Sequence, residues 1–174
     1  MQQLIVPVAE ILGRPGEYRD LELSATVADV RNALVRLDER PARATLRAES
    51  VVEGILVTGR VDGTSTFSCA RCLAEGDLPV SVDVCDLFVT PERQVTEEDA
   101  YALKGADMDL EPLLRDALAL ALPLNPLCRA DCKGLCVTCG RDLNLGDCDC
   151  TQEEFDPRWA ALSSLRERLQ GQEG

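Results

Sequence analysis

The chain has 174 residues, 45% of them hydrophobic, which is enough to bury one compact core with at most a small appendage. Its 31 acidic and 18 basic residues give a formal charge of −13, so large-area binding to nucleic-acid phosphates is disfavoured. Aromatic residues make up 3% of the chain, and histidine is absent. These two features exclude base-stacking platforms and every mechanism that needs an imidazole.

The N-terminus and the apolar runs indicate a cytoplasmic protein. The first 30 residues carry five acidic residues and no basic start followed by an apolar core, so no secretion signal is visible. The longest near-apolar run, 117–124, is far shorter than the ~20 residues that span a bilayer. We therefore expect reduced cysteines and no membrane partner.

The N-terminal quarter predicts two short strands and one helix. Residues 4–8 and 18–25 have extended patterns on either side of a Gly13-Arg14-Pro15-Gly16 break. Apolar residues from Val27 to Leu37 recur at helical spacing, which predicts a short amphipathic helix that ends before Pro41.

A run rich in β-branched residues then predicts three successive antiparallel strands. The first covers 51–61 and is followed by Asp62-Gly63, a strong tight-turn signal. The second covers 64–69, and strict alternation over 78–84 predicts the third. The pair Cys69 and Cys72 would then lie at the tip of the second turn.

The clearest helix follows a polar, acidic stretch, 91–107, which predicts an exposed loop. Asp109 can cap a helix whose apolar residues repeat at i, i+3, i+4 and i+7 as far as Leu122, before Pro123 ends it. A last helix begins at Asp156-Pro157 and runs into a frayed tail. Its inward-facing residues would be Trp159, Leu162, Leu165 and Leu169.

These elements predict an α+β fold. It would consist of an antiparallel β-sheet or partly open barrel packed by a long amphipathic helix, with a C-terminal cysteine-rich zinc-binding segment. We expect three parts: an α+β domain at 1–126 that carries the Cys-x-x-Cys hairpin tip, a zinc-binding segment at 127–150, and a C-terminal helix and tail at 151–174.

Eight of the nine cysteines form four closely spaced pairs, and Cys85 stands apart. Where no imidazole is available, zinc takes four tetrahedral thiolates, and a two-residue spacing lets both sulfurs of a pair face one ion. Disulfides are disfavoured in a reducing compartment, and an iron–sulfur cluster is the remaining alternative. The pairs are Cys69/Cys72, Cys128/Cys132, Cys136/Cys139 and Cys148/Cys150.

The spacing favours two complete zinc sites. The short loop 141–147 suits a local site made of the last two pairs, which leaves Cys128 and Cys132 for the distant Cys69 and Cys72 as a long-range staple. The alternative is a local site of Cys128, Cys132, Cys136 and Cys139, with the other pairs combined or without metal. Four protein ligands leave no open position, so the zinc would be structural.

Several short motifs after about residue 45 resemble one protein family, the YceD family of large ribosomal RNA subunit accumulation proteins. The resemblance implies a bacterial, cytoplasmic protein linked to the accumulation of large-subunit ribosomal RNA. The motifs are Glu49-Ser50-Val51-Val52-Glu53-Gly54-Ile55-Leu56-Val57, Cys69-Ala70-Arg71-Cys72-Leu73, Asp109-Leu110-Glu111-Pro112-Leu113, Leu122-Pro123-Leu124, Cys132-Lys133-Gly134-Leu135-Cys136, Cys139-Gly140 and Asp156-Pro157-Arg158-Trp159.

The resemblance supplies a process, and the charge indicates how the protein takes part in it. An acidic chain favours a non-enzymatic factor in ribosome biogenesis that binds a basic ribosomal protein or a pre-ribosomal particle, with no small-molecule substrate. Ribosomal RNA is a further candidate partner because one local run is basic, although a solvated surface is the simpler explanation for it. This run contains Arg31, Arg36, Arg40, Arg43 and Arg47.

A thiol-based redox sensor or oxidoreductase is the alternative function. It would use a Cys-x-x-Cys pair, and Arg71 beside Cys72 could lower the pKa of a thiol. The βαβ pattern that supports such a pair in a thioredoxin-like fold is absent from the sequence.

Overall fold

The structure is a computed structural model that describes residues 4–91 and 100–150. Within these ranges eight strands are formed, together with a helix of eleven residues, α1. In chain order the elements are β1 (Ile5–Pro7), β2 (Tyr18–Ala25), β3 (Val35–Leu37), β4 (Ala42–Ser50), β5 (Ile55–Ser68), β6 (Glu75–Val89), β7 (Tyr101–Ala102), β8 (Asp107–Asp109) and α1 (Glu111–Ala121).

The main sheet has the order β2-β4-β5-β6-β7, and β3 pairs with β5 beyond the end of β4. All of these pairs are antiparallel except β6–β7, which is parallel. Strands β5 and β6 form one long hairpin whose register runs unbroken from Ile55↔Phe88 to Ser68↔Glu75. Strands β1 and β8 form a separate two-stranded antiparallel sheet.

One face of the main sheet is buried and the other faces solvent. In β4, buried Ala42, Ala44, Leu46 and Ala48 alternate with polar residues, because successive side chains point to opposite faces of a strand. Helix α1 contributes Leu113, Leu114 and Leu118 to the same hydrophobic core. Each such leucine contributes about 1.5–3 kcal/mol through removal of its apolar surface from water.

The predicted α+β fold with a long amphipathic helix is wrong. The described residues are mostly β, the sheets are open, and α1 spans about three turns. The predicted helix position is nearly right, but Leu110 rather than Asp109 is the N-cap residue, and the helix ends at Ala121 before Leu122 and Pro123. A helix this short covers part of the sheet face, and strand residues and loop leucines supply the rest of the core.

The helix predicted for 27–37 is also wrong. The chain turns sharply here, with Arg31 paired to Arg36 and the N–H of Asn32 bonded to the carbonyl of Val35. The side-chain oxygen of Asn32 accepts the N–H groups of Leu34 and Val35, at 3.0 and 2.9 Å. A local side-chain bond of this kind competes with the helical ladder and favours a turn.

The hairpin turn predicted at Asp62-Gly63 is wrong, because β5 continues straight through both residues. Asp62 pairs with Arg43 on one side and with Ser81 on the other, so the sheet on both sides overrides the local turn preference. The turn lies instead at residues 51–54, where the N–H of Val51 bonds to the carbonyl of Gly54.

The remaining predictions concern the N-terminal strands, the loop before α1 and the last helix. The two N-terminal strands are confirmed as β1 and β2. The exposed loop predicted at 91–107 is wrong for its second half, where β7 forms and Leu103 is buried. Residues 92–99 and the helix predicted from Asp156 lie outside the described residues.

The chain divides into two compact units, Met1–Cys132 and Lys133–Gly174. The described residues of the second unit are 133–150. The predicted segment boundaries at 126 and 150 stay predictions. Among the residues that the structure describes, no helix is long and apolar enough to cross a membrane.

Candidate metal-binding sites

Four cysteine sulfurs come together in the first unit, and we call this group the first site. The Sγ atoms of Cys69 and Cys132 lie 3.9 Å apart, and those of Cys72 and Cys128 lie 3.6 Å apart. All four sulfurs lie within 4.8 Å of one another. Cys69 and Cys132 are buried, Cys72 is half-buried and Cys128 is exposed, so the group lies at the margin of the core.

The hairpin tip between β5 and β6 presents two of these sulfurs, as the sequence predicts. The N–H of Cys69 bonds to the carbonyl of Ala74, and Leu73 adopts a positive φ of 62° that turns the chain back. The N–H of Ala70 then donates to the carbonyl of Pro126 at 2.8 Å, which joins the tip to the segment after α1.

Arg71 also connects the hairpin tip to the segment after α1. The guanidinium of Arg71 donates to the carbonyl of Cys132 at 2.7 Å, and its backbone N–H faces the sulfur of Cys69 at 3.5 Å. Sequence reasoning missed this role, because no local pattern marks an arginine as a partner for a carbonyl 61 positions away.

The electrostatics of the first site suit a cation. Hydrogen bonds from the backbone N–H groups of Cys128 and then Cys72 lower the pKa of Cys69 to about 6, so this sulfur is readily a thiolate. Desolvation and the neighbouring thiols raise the pKa of Cys128 to about 12. The Cys69 thiolate therefore forms easily, and Cys128 ionises beside it only if a cation offsets the repulsion between the two.

The second unit contains the second site, formed by Cys136, Cys139, Cys148 and Cys150, whose sulfurs also lie within 4.8 Å of one another. Gly140 follows the second cysteine with a φ of +73°, and its N–H bonds to the carbonyl of Cys136. This positive φ is the left-handed conformation that glycine adopts without strain.

This second site repeats the electrostatic pattern of the first. The backbone N–H groups of Cys139 and then Thr138 lower the pKa of Cys136 to about 6. The hydrogen bond with Cys139 and the loss of water raise the pKa of Cys150 to about 12. Cys136, on the tight turn, therefore supplies the first thiolate, and Cys148 and Cys150 complete the group of four sulfurs.

Both groups could hold a metal ion, and the sulfur separations of the first site suit a tetrahedral one. Four thiolates at 2.3 Å from one ion would have sulfurs about 3.8 Å apart, close to the 3.6 and 3.9 Å separations of the first site. None of the nine cysteines forms a disulfide. The structure thus brings together the two groups of four that the spacing favoured, and it does not bring Cys128 and Cys132 into one group with Cys136 and Cys139. Cys85 lies exposed on β6 and belongs to neither group.

The five arginines of the basic run are exposed but do not share one element. Arg31 and Arg36 flank the Asn32 turn, whereas Arg43 and Arg47 lie on the solvent face of β4. Carboxylates neutralise two of the five: Asp38 binds Arg40 at 2.7 Å, and Asp20 binds Arg47 at 2.8 Å.

A comparison with protein families identifies the chain's relatives. The sequence model of the family described as "Large ribosomal RNA subunit accumulation protein YceD" matches residues 57–166. The chain belongs to the YceD family. The YceD match contains all eight clustered cysteines, whereas the five arginines precede it.

Individual relatives extend the similarity toward the N-terminus. An uncharacterised protein of Mycobacterium tuberculosis (strain H37Rv) is 38% identical over 170 residues, which are 93% of this chain and 81% of the relative. The Arabidopsis thaliana protein named "Large ribosomal RNA subunit accumulation protein YCED homolog 1, chloroplastic" is 27% identical over 161 residues, covering 80% of this chain and 50% of the relative. No solved structure gives a significant match to the chain.

Proposed function

We propose that this YceD-family protein is a non-enzymatic accessory factor in the accumulation of large-subunit ribosomal RNA, and that it acts by binding a ribosomal protein or a pre-ribosomal particle. The family match over residues 57–166 carries the proposal, because it links the chain to this process across more than half of its length. The name of the Arabidopsis relative supports the same process.

The proposal includes one structural zinc ion at each cysteine site. Four thiolates suit zinc, and a site closed by four protein ligands keeps no position for water or substrate. Metal would stabilise the described part of the second unit in particular, because Gly134 and Cys136 are the buried residues among 133–150. A segment with so small a core depends on metal ligation for its stability.

Charge supports a basic protein partner over free RNA. The chain has a formal charge of −13, and a zinc ion held by four thiolates adds a net charge of about −2 at each site. A surface of this sign attracts a basic ribosomal protein and repels phosphate.

The redox alternative has less support. The strands that flank Cys69 and Cys72 are antiparallel neighbours in one hairpin, not the parallel strands of a βαβ unit. The two sulfurs also lie within a group of four, which favours metal binding over exchange between one dithiol and its disulfide.

The function is tested by removing the gene from its host and measuring the ratio of large-subunit to small-subunit ribosomal RNA. We expect the ratio to fall, and we expect the intact gene to restore it. Affinity capture of the tagged protein should retain ribosomal proteins or pre-ribosomal particles. An unchanged ratio, together with capture of no ribosomal component, would overturn the proposal.

Metal content tests the zinc assignment independently. Protein purified without added metal should contain close to two zinc ions per chain and show no iron chromophore. Cys136→Ser should lower the content to about one zinc, whereas the matched change Cys85→Ser should leave it unchanged. A brown protein, or zinc that Cys136→Ser does not reduce, would contradict the assignment.

A further inference from the structure

Within residues 4–91 and 100–150, strand β6 has a long edge that no other strand pairs with. It is bonded to β5 along its whole length, and on its other side the described residues that pair with it are those of β7, at Phe88 and Val89. From Glu75 to Leu87, no residue in the described ranges forms a backbone hydrogen bond to this edge. The free stretch is about 40 Å long at 3.4 Å per residue, which is room for a complete added strand.

The register decides which backbone groups face this edge. In an antiparallel pair, alternate residues direct both their N–H and C=O groups toward the partner strand, and the residues between them direct both groups away. Pro79 has no N–H and pairs with Thr64, so it belongs to the outward-facing set. The carbonyl of Val89, ten residues further along, accepts the N–H of Leu103 and is outward-facing by the same alternation.

The free edge therefore offers the backbone groups of every second residue. Even-numbered residues from Gly76 to Phe88 bond to β5, and odd-numbered residues from Glu75 to Leu87 face outward. The constant register excludes a bulge that would change this alternation. Outward N–H groups are available at Asp77, Ser81, Asp83 and Cys85.

The side chains along the edge indicate the chemistry of an added strand. Strand β6 contains four carboxylates, of which Asp83 is bound by Arg60 of β5, and no basic residue; Glu75 and Asp77 are exposed beside its outward-facing backbone. On the opposite face, Leu78 and Val82 are only partly buried at the margin of the core. A matching strand would alternate basic residues, beside the carboxylates, with apolar residues that cover Leu78 and Val82.

We propose that the free edge of β6 binds an extended basic segment of a ribosomal protein by adding it as a strand to the sheet. The outward backbone groups supply affinity, and the acidic and apolar side chains select the sequence. A second copy of this chain is disfavoured as the occupant, because pairing two β6 edges would bring like charges together. The inference rests on the proposed function and identifies the surface that carries it.

Amide exchange on the full chain provides the direct test. The probe is a nine-residue peptide of alternating lysine and valine, and the control peptide replaces each lysine by glutamate. We expect the lysine peptide to slow exchange at Asp77, Ser81, Asp83 and Cys85, while the even-numbered amides of β6 are slow with or without it. Binding without new protection at these four amides would overturn strand addition.

A matched pair of substitutions tests the edge without disturbing the ladder to β5. Ser81→Pro removes an outward N–H of β6, and we expect it to weaken peptide binding roughly tenfold or more. Ser24→Pro makes the same change at an outward-facing exposed position of β2, on the opposite edge of the sheet, and should leave binding unchanged. Equal effects of the two substitutions would contradict the proposal.

Capture from cell extract separates this inference from the proposed function. If the unmodified protein captures ribosomal components and Ser81→Pro captures them equally well, strand addition is wrong and the proposed function stands. If the unmodified protein captures no ribosomal component, the proposed function itself fails. If the Ser81→Pro protein no longer captures ribosomal components while the Ser24→Pro protein still does, both strand addition and the proposed function are supported.

Discussion

Gly59 and the cysteines are residues whose roles depend on the backbone around them. Gly59 lies within β5 at a φ of +148°, and a Cβ there would collide with the carbonyl oxygen of Thr45 on β4. Cys69 and Cys136 each receive backbone N–H groups that favour the thiolate. We therefore expect substitutions at these positions to be poorly tolerated.

Gly59→Ala should lower the free energy of unfolding by about 3 kcal/mol or more, because it combines an unfavourable φ with a clash against backbone. Gly105→Ala is the matched control, since Gly105 has a φ of +68° but open space around it. We expect about 1 kcal/mol for the control. Urea unfolding of both variants checks the difference, and equal losses would contradict the close approach of β4 and β5.

Cys69→Ser should remove one zinc ion and destabilise the first unit by about 3 kcal/mol or more, because the hairpin tip is held to the segment after α1 through this site. Cys148→Ser should also remove one zinc ion but loosen residues 133–150 alone. Amide exchange combined with metal analysis checks both outcomes. Loss of protection throughout the first unit in Cys148→Ser would argue against two independent sites.

At the scale of elements, β7 connects the long hairpin to helix α1. The ring of Tyr101 stacks on Phe88 of β6 with centroids 5.2 Å apart, and its hydroxyl donates to the carboxylate of Asp116 on α1 at 2.9 Å. Burial and the adjacent Asp116 carboxylate raise the pKa of Tyr101 above its usual value. A two-residue strand thus contributes a packing contact and a hydrogen bond at one position.

Tyr101→Phe should keep the ring stacking and cost about 1 kcal/mol through the lost hydrogen bond, whereas Tyr101→Ala should cost roughly 2 kcal/mol or more. Thermal unfolding of the two variants measures both losses. If Tyr101→Phe lowers the stability as much as Tyr101→Ala, the stacking contact does not contribute to stability.

The raised pKa of Tyr101 predicts that the stability of the protein depends on pH in the alkaline range. Since the pKa of Tyr101 is raised in the folded protein, its contribution to stability is fully present below pH 10, where the unfolded tyrosine is still protonated. It is lost as the pH rises above 10 toward the folded pKa. The stability of the unmodified protein should therefore fall more steeply above pH 10 than that of Tyr101→Phe, and parallel curves would contradict the raised pKa.

At the scale of the whole molecule, the basic run does not offset the acidic charge. Two of its five arginines are bound by carboxylates, and the solvent face of β5 and β6 repeats this arrangement where Arg60 binds Asp83 at 2.8 Å. Exposed pairs of this kind contribute little to stability, but they leave few cationic groups available to phosphates.

Free ribosomal RNA should therefore bind weakly, while a basic ribosomal protein or a pre-ribosomal particle should bind more tightly and lose affinity as salt rises. Reversing the charge of Arg36, Arg40 and Arg43 together should leave the binding of a basic protein almost unchanged. Titrations at several salt concentrations measure both. Tight binding to naked RNA near physiological salt that this triple variant abolishes would reverse our choice of partner.

The sequence alone determined features that depend on local chemistry. Four closely spaced cysteine pairs in a chain without histidine indicate groups that could hold a metal ion, and the described residues contain two such groups. The extended pattern after the Gly13-Arg14-Pro15-Gly16 break located β2, and the period of apolar residues located α1 within one residue at each end. These patterns predict the structure correctly because each of them lies within a single turn, strand or helix of the chain.

Tertiary structure alone decided the features that depend on distant partners. Pairing with β4 and β6 carries β5 through Asp62-Gly63, and pairing with β5 holds β3 extended where the sequence predicts a helix. The choice between two groupings of cysteine pairs, and the edge of β6 that no other described strand pairs with, likewise follow from contacts between segments far apart in sequence. Local sequence patterns do not predict such contacts, because the contacts stabilise the protein only once the distant segments meet in the folded chain.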